Sequence, residues 1–284
     1  PKHSNMAFDR LVRFEDDEGK IHYGNVPYEF PSEGIDGAKI QILKGDISSG
    51  FSKGDGTATV KKLLCPLETT PIVPCIGLNY GQHAKEADLP IAKYPVVFTK
   101  PADALTGPYD DVHVHVDAQS QLDYEGELTV VIGKDGKNIP EDKALEYVLG
   151  YTVGNDVSAR NFQLPPNSGG QFGYAKSFDG FAPIGPCLVS TSIIPDPQKL
   201  DYVTKVNGKI RQETSTSDMI WNIKQIIAHL SRGTTLRKGT AIMTGTPSGV
   251  GLFHKDGFLK DGDVVEVSVT GIGAIKNRMV YEKQ

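Results

Sequence analysis

Short apolar runs rich in β-branched residues, bounded by glycine, proline or aspartate, recur along most of the chain. This pattern is typical of β-strands. From residue 72 onward it predicts eight strands, at 95–100, 113–116, 128–133, 151–156, 182–190, 204–209, 241–245 and 264–273. Three helical patterns stand among them, at 83–89, 141–150 and 217–233, the last with Ser217 as its expected N-cap.

The first quarter of the chain shows shorter strands separated by glycine and acidic turns. Residues 8–68 therefore predict a small β-rich module, and the three prolines of 65–80 suggest a linker after it. We divide the chain into a small N-terminal domain, 1–70, and a second domain, 71–284, and expect the native sequence to begin at Met6. The predominance of strands indicates an α+β, predominantly β fold with a rolled or barrel-like sheet.

Composition and charge exclude several classes of protein. The 284 residues are 38% hydrophobic and 23% charged, which is ordinary for a globular chain, and the net charge of -5 argues against a broad nucleic-acid-binding face. No apolar run approaches the ~20 residues of a membrane helix. Cys65, Cys75 and Cys187 predict free thiols rather than disulfides or a zinc site, which favours the cytoplasm, with a mitochondrial location as the alternative.

Carboxylates are concentrated in the segment LDYEGELTVVIG. Asp123, Glu125 and Glu127 alternate, so on a strand they would project from one face, and a cation would relieve their repulsion. Asp156, at the end of another predicted strand, is a further candidate for the same site. Oxygen ligands favour Mg²⁺, Mn²⁺ or Ca²⁺. A solvated strand face and an Asx turn are the alternative interpretations.

A candidate acid–base pair follows the linker. His83 and Glu86 are three residues apart, so a helical turn would place them on one face, where a carboxylate can orient an imidazole that takes a proton from water. An ordinary surface pair has the same spacing. Gly77, Asn79 and Gly81 just before it suggest a loop that can reorder, as active-site lids do.

Two further segments suit a small anionic substrate. Lys176 stands among aromatic residues and glycines, where it could pair with a substrate carboxylate or with the acids, or extend into solvent. The small-residue segment TGTPSGVG, 244–251, offers backbone N–H groups suited to a carboxylate. It lacks the lysine of a phosphate-binding loop, and no dinucleotide-binding glycine motif follows a strand elsewhere.

Six segments occur in an order that resembles the fumarylacetoacetate hydrolase superfamily, in particular its acylpyruvase and oxaloacetate-acting branch with an added N-terminal domain. They are PVVFTKPADALTGP, LDYEGELTVVIGK, GNDVSARNFQ, AKSFDGFAPIGP, KVNGKIRQE and TGTPSGVG. The resemblance covers roughly residues 70–280. It implies a rolled β-structure, a homodimer, and Mg²⁺ or Mn²⁺ held by Glu125, Glu127 and Asp156, with Ca²⁺ as a substitute in a crystal. It leaves Asp123 outside the ligand set.

The same resemblance implies roles for six other residues. It implies catalytic roles for His83 and Glu86, as a water-activating pair on a mobile lid, and for Lys176, and substrate contacts for Arg160, Gln163 and Thr246. One segment departs from the family pattern. Where relatives often carry a basic or tryptophan-containing stretch, this chain has LPPNSGGQFGYA, so the resemblance does not predict the distal end of the pocket.

The function implied is a metal-dependent hydrolase that cleaves a C–C bond of an acylpyruvate-type 2,4-dioxo acid through a stabilised enolate. Decarboxylation or keto–enol tautomerisation of oxaloacetate at the same site is the alternative. A non-catalytic binding homologue is a third hypothesis, disfavoured because every site residue is present. In each case we expect a small 2-oxo acid as the ligand, and neither nucleic acid nor membrane as a partner.

Overall fold

The computed structural model describes residues 7–32 and 34–283, so the predicted start at Met6 lies outside the described part. The N-terminal strands form an antiparallel meander, β1 to β4, and β5 returns to pair with β1. They are β1 (Arg10–Glu15), β2 (Ile21–Asn25), β3 (Lys39–Asp46), β4 (Gly50–Thr59) and β5 (Lys62–Leu64).

The remaining strands lie in the second part of the chain. They are β6 (Val73–Gly77), β7 (Val96–Lys100), β8 (Leu105–Thr106), β9 (Val112–Val114), β10 (Leu122–Asp123), β11 (Gly126–Ile132), β12 (Gly136–Lys137), β13 (Val148–Asn155), β14 (Ser158–Ala159), β15 (Ala182–Ser190), β16 (Asp201–Val206), β17 (Lys209–Ser215), β18 (Thr235–Leu236), β19 (Ala241–Met243), β20 (Val264–Val269) and β21 (Gly273–Tyr281). Strands β11 and β15 are buried along their whole length, and β13 at every position except the half-buried Leu149, as their continuous apolar runs require.

One long mixed sheet runs through both parts, in the order β4-β3-β2-β1-β15-β13-β11-β19-β6-β7. The N-terminal meander joins it where Arg10 pairs with Val189. A second sheet, β17-β16-β20-β21-β9, packs against the first through contacts of β21 with β15 and of β20 with β11. The curled mixed sheet confirms the predicted predominantly β fold. The division at residue 70 stays a prediction.

Helices are few and short within the described residues. The α-helices are α1 (Gly81–Glu86), α2 (Arg160–Gln163), α3 (Gly173–Lys176) and α4 (Ile223–Leu230). Single 3₁₀ turns or short 3₁₀ helices occupy Ala102–Ala104, Val116–Ala118, Glu141–Tyr147, Thr216–Asp218 and Gly251–Phe253. None of these is long and apolar enough to span a membrane.

All three predicted helices have different bounds. The helix predicted at 83–89 is α1, which begins at Gly81 and ends at Glu86. The pattern at 141–150 is a 3₁₀ helix only to Tyr147, because the following residues pair with β11 as the start of β13. The pattern at 217–233 does not begin at Ser217. Asn222 caps α4 instead, through a reciprocal capping box with Gln225, and the helix ends at Leu230.

Three predicted strand or linker assignments are also wrong in part. The run at 204–209 crosses the two-residue turn of the β16–β17 hairpin, where Asn207 and Gly208 adopt φ of 50° and 77°. The run at 264–273 likewise crosses the turn between β20 and β21. The predicted linker at 65–80 contains β6, which is buried in the long sheet because its apolar residues pair with β7 and β19.

Candidate metal centre and active site

Three carboxylates meet where β11 begins and β13 ends. Gly126 of β11 pairs with Asn155 of β13, and the N–H of Asp156 donates to the carbonyl of Glu125 at 2.8 Å. The residues that follow Asn155 are thereby placed beside those that flank Gly126. Ligand oxygens of Glu125, Glu127 and Asp156 lie within 4.8 Å of one another, and all three residues are buried.

Glycine between the two glutamates is required by a close approach from the second sheet. A Cβ at Gly126 would collide with Oγ1 of Thr204 on β16 and lie 3.0 Å from Cγ1 of Val267 on β20. The backbone of β11 can therefore run against the second sheet only without a side chain at this position. The close approach explains the E-G-E spacing of the acids.

Asp123 belongs to a different set of contacts. The strand is interrupted between Asp123 in β10 and Gly126 in β11, so the prediction that the three acids line one face of a single strand is wrong. The carboxylate of Asp123 accepts N–H groups of Gly251 and Leu252 at 2.7 and 3.0 Å, and Nε of Arg160 at 2.9 Å. Asp123 holds Arg160 rather than joining the triad.

Two basic side chains neutralise Glu125. Nζ of Lys176 lies 2.9 Å from both Oε2 of Glu125 and Oδ2 of Asp156, and Nη2 of Arg160 lies 2.7 Å from Oε1 of Glu125. Burial disfavours the charged form of Glu125, but Lys176 and Arg160 outweigh it and lower its pKa to about 2. Burial likewise opposes the charge of Lys176, yet Asp156 and Glu125 raise its pKa above the ordinary value.

Lys100 is a third basic residue in this cluster, and no role was predicted for it from the sequence. It ends β7, is fully buried, and places Nζ 2.5 Å from Oδ1 of Asp156 and 2.7 Å from the carbonyl of Phe181. The sequence does contain a signal for this residue. Lys100 lies two residues after Phe98, so both side chains project from the same strand face, and a proline follows immediately. Lysine is almost never fully buried without a partner, so its position indicates a structural role beside Asp156.

Among the described residues, Glu127 is the carboxylate of the triad without a basic partner, so a cation would balance its charge. No lysine or arginine of the described residues forms an ion pair with it, and the N–H of Gly245 donates to Oε2 at 2.8 Å. Burial, followed by the charges of Asp156 and Glu125, raises the pKa of Glu127 well above its usual range. A buried carboxylate that lacks a counter-charge, beside two others, fits a hard divalent cation.

The predicted His83 and Glu86 pair lies on α1. Nδ1 of His83 is 3.1 Å from Oε2 of Glu86, and Glu86 also accepts the N–H of Gly249. Asn79 fixes the entry to this helix, because its side chain binds the carbonyls of Trp221 and Thr244 and accepts the N–H of Trp221. Nδ1 of the nearly buried imidazole lies on Glu86, whereas Nε2 has no hydrogen-bond partner among the described residues and is available for chemistry.

The backbone N–H groups of TGTPSGVG serve the protein's own carboxylates. Gly245 donates to Glu127, Gly249 to Glu86 and Gly251 to Asp123. The expectation that these groups bind a substrate carboxylate is therefore wrong for these three. Each glycine instead orients an acidic side chain of the site.

A cavity of about 390 Å³ opens beside the triad. Six residues predicted for the site line this cavity: His83, Glu125, Arg160, Gln163, Lys176 and Thr246. Phe172, from the segment that departs from the family pattern, lines it as well. Gln163 accepts Nη1 of Arg160 at 2.9 Å, and the hydroxyl of Thr246 donates to the carbonyl of Gly126. Gln212, which was not among the predicted site residues, joins these parts by accepting the N–H of Gly126 and donating to Thr246.

Comparison with known proteins places this geometry in a family. Residues 72–280 match the model described as fumarylacetoacetate (FAA) hydrolase C-terminal. The chain is 43% identical over 219 residues to "Oxaloacetate tautomerase fahd2, mitochondrial" of Xenopus laevis, covering 77% of this chain and 68% of the relative. It is 46% identical over 210 residues to "Oxaloacetate tautomerase YisK" of Bacillus subtilis, covering 72% and 68%.

The fold is also similar to solved structures over nearly the whole chain. The crystal structure of 2-hydroxyhepta-2,4-diene-1,7-dioate isomerase from Mycobacterium marinum aligns with a TM-score of 0.82 and 32% identity. The alignment covers 97% of this chain and 99% of that one, so it includes the N-terminal strands.

Proposed function

The chain belongs to the fumarylacetoacetate hydrolase family, and we propose that it is a divalent-metal-dependent tautomerase that interconverts keto and enol oxaloacetate. The observation that carries the proposal is the buried triad of Glu125, Glu127 and Asp156 beside a basic cluster and an acid–base pair. The names of two relatives, both oxaloacetate tautomerases, support the choice of reaction.

Mg²⁺ or Mn²⁺ held by the three carboxylates would supply Lewis acidity at the 2-oxo group of the substrate. Lys176 places a positive charge at the same end of the cavity and stabilises negative charge that develops there. Arg160 is oriented by Asp123 and Gln163, so its remaining N–H groups can contact a substrate carboxylate.

His83 is the proton-transfer group in this proposal. Glu86 fixes Nδ1, which leaves Nε2 to remove a proton from C3 of the keto acid and to return it in the reverse direction. The protonated imidazole then gives a proton to the 2-oxo oxygen, so the two tautomers differ only in the placement of one hydrogen. The chemistry requires neither water nor a leaving group.

Hydrolysis of an acylpyruvate is the second candidate, and the contact of His83 with Glu86 favours it. The same Nε2 would take a proton from water, whose oxygen attacks the C4 carbonyl. The C3–C4 bond then breaks, giving a carboxylic acid and the enolate of pyruvate, which takes up a proton at C3.

The deciding experiment follows the enol of oxaloacetate by ultraviolet absorbance in the presence of the purified protein. We expect acceleration that EDTA abolishes and that Mg²⁺ or Mn²⁺ restores. Equal rates with and without protein would contradict the tautomerase assignment, and an EDTA-resistant acceleration would contradict the metal. In parallel, proton NMR of acetylpyruvate with the protein distinguishes hydrolysis, which yields acetate and pyruvate.

A further inference from the structure

The cavity beside the triad has a polar end and an apolar end. On one wall, Nζ of Lys176 lies 5.0 Å from the ring centre of Phe98, and Phe98 meets the ring of Phe172 edge-on at 5.8 Å. These contacts lead from the carboxylates outward to an aromatic surface. Leu164 and Val96 line the same cavity.

The facing wall also runs from a polar side chain to exposed apolar ones. The ring centre of His83 lies 5.9 Å from that of Phe253, which is 42% exposed. Leu89, also lining the cavity, is 53% exposed. Large apolar side chains that stay open to solvent around a cavity are typical of a surface that an apolar ligand covers.

Charge is confined to the inner end. The acidic and basic side chains among the described residues that line the cavity are Glu125, Arg160, Lys176 and the titratable His83, and each is held by a partner there. The outer end is formed by the apolar residues named above. An ionised group carried there would lose hydration without gaining a partner, whereas an alkyl or aryl group would be stabilised.

We propose that the outer end, formed by Val96, Phe98, Leu164, Phe172 and Phe253, is an apolar subsite for an alkyl or aryl tail attached beyond C4 of a 2-oxo acid. The proposal rests on the proposed function only in placing the oxo-acid group at the inner end. The segment 164–175, whose sequence departs from the family pattern, supplies Leu164 and Phe172. A volume of about 390 Å³ lies within the range of ~300–1,000 Å³ typical of pockets for larger ligands than a four-carbon acid.

Calorimetric titration with 2-oxobutanoate, 2-oxohexanoate and 2-oxooctanoate in Mg²⁺ buffer tests the subsite directly. Each buried methylene is expected to lower the Kd by roughly fourfold, and the four methylenes added across the series therefore lower it by roughly 250-fold. A Kd that is independent of chain length would overturn the proposal.

Substitutions assign the effect to the outer end. Leu164→Asp is expected to remove the dependence of Kd on chain length, and the milder Val96→Thr to reduce it, which covers the case that the aspartate variant does not fold. Ile210→Asp changes a residue of β17 that is 57% exposed and does not line the cavity, so this control should retain the full dependence. If Leu164→Asp and Val96→Thr both fold and keep that dependence, the assignment is wrong.

Binding and turnover separate this proposal from the function itself. Tightening with chain length, together with no acceleration of oxaloacetate tautomerisation, would support the subsite and contradict the proposed reaction. Acceleration of tautomerisation with a flat Kd series would support the reaction and contradict the subsite.

Discussion

Nζ of Lys100 lies 2.5 Å from Oδ1 of Asp156, and the side chains of both residues are fully buried. Because Lys176 occupies Oδ2 of the same carboxylate, Asp156 is held between two ammonium groups. Lys100 also donates to the carbonyls of Val157 and Phe181, which links the end of β7 to the segment after β13 and the start of β15. This residue fixes the position of the carboxylate that completes the triad.

Replacing Lys100 by Met should therefore destabilise the protein strongly. Loss of Lys100 leaves the buried charge of Asp156 to Lys176 alone, which Glu125 shares, and breaking a buried pair in this way costs about 3–5 kcal/mol in the free energy of unfolding. Urea denaturation measures the change. Lys44→Met is the matched control, because Lys44 pairs with Asp55 while its side chain is 62% exposed, and about 0–1 kcal/mol is expected. Equal losses for the two variants would contradict a special role of Lys100.

Local patterns in the sequence predict the buried strands well, because β11, β13 and β15 each carry a continuous apolar run. The same patterns do not show where a strand is interrupted by a tertiary contact. Asp123 and Glu125 alternate as a strand would require, yet the strand is interrupted between them. Asp123 instead binds Arg160 and the N–H groups of Gly251 and Leu252.

The site could be predicted where residue types and spacing carry the information, and not where partners are distant in sequence. His83 and Glu86 meet because three residues separate them in one helical turn. Lys100 and Asp156 meet only through the order of strands in the long sheet. Gln212 likewise reaches Gly126 from the other sheet, and its own segment, KVNGKIRQE, gives no sign of that contact.

Glu127→Gln should separate metal binding from folding. Glutamine resembles the protonated acid that burial favours at this position, so the stability of the metal-free protein is expected to change by less than about 1 kcal/mol. Wild-type protein should gain about 2.7 kcal/mol at a Mg²⁺ concentration one hundred times the Kd. Thermal unfolding with and without Mg²⁺ makes the comparison, and an unchanged Mg²⁺ effect in the variant would remove Glu127 from the ligand set.

His83→Ala should lower both hydrolysis of acetylpyruvate and tautomerisation of oxaloacetate, by about 10²–10⁴-fold in kcat, because the proposed proton-transfer group is lost. Glu86→Gln should cause a smaller loss, since the imidazole remains but its orientation is less well fixed. His115→Ala is the control and should keep both activities, because it removes an imidazole whose side chain is 51% exposed and which does not line the active-site cavity. If tautomerisation alone survives in His83→Ala, another group moves the proton at C3.

Gly126→Ala tests whether the close approach of the two sheets sets the geometry of the triad. The added Cβ would collide with Oγ1 of Thr204, and overpacking of this kind costs about 1–3 kcal/mol in stability. Thr204→Ala removes the atom that collides, so the penalty for Gly126→Ala should be smaller in that background. A double-mutant cycle from urea denaturation measures the coupling.

Because the glutamates flank Gly126, the Kd for Mg²⁺ should worsen in the single variant and recover partly in the double variant. Additive effects on stability would mean that the backbone of β11 relaxes without pressing on β16, and the close approach would then not be what positions Glu125 and Glu127.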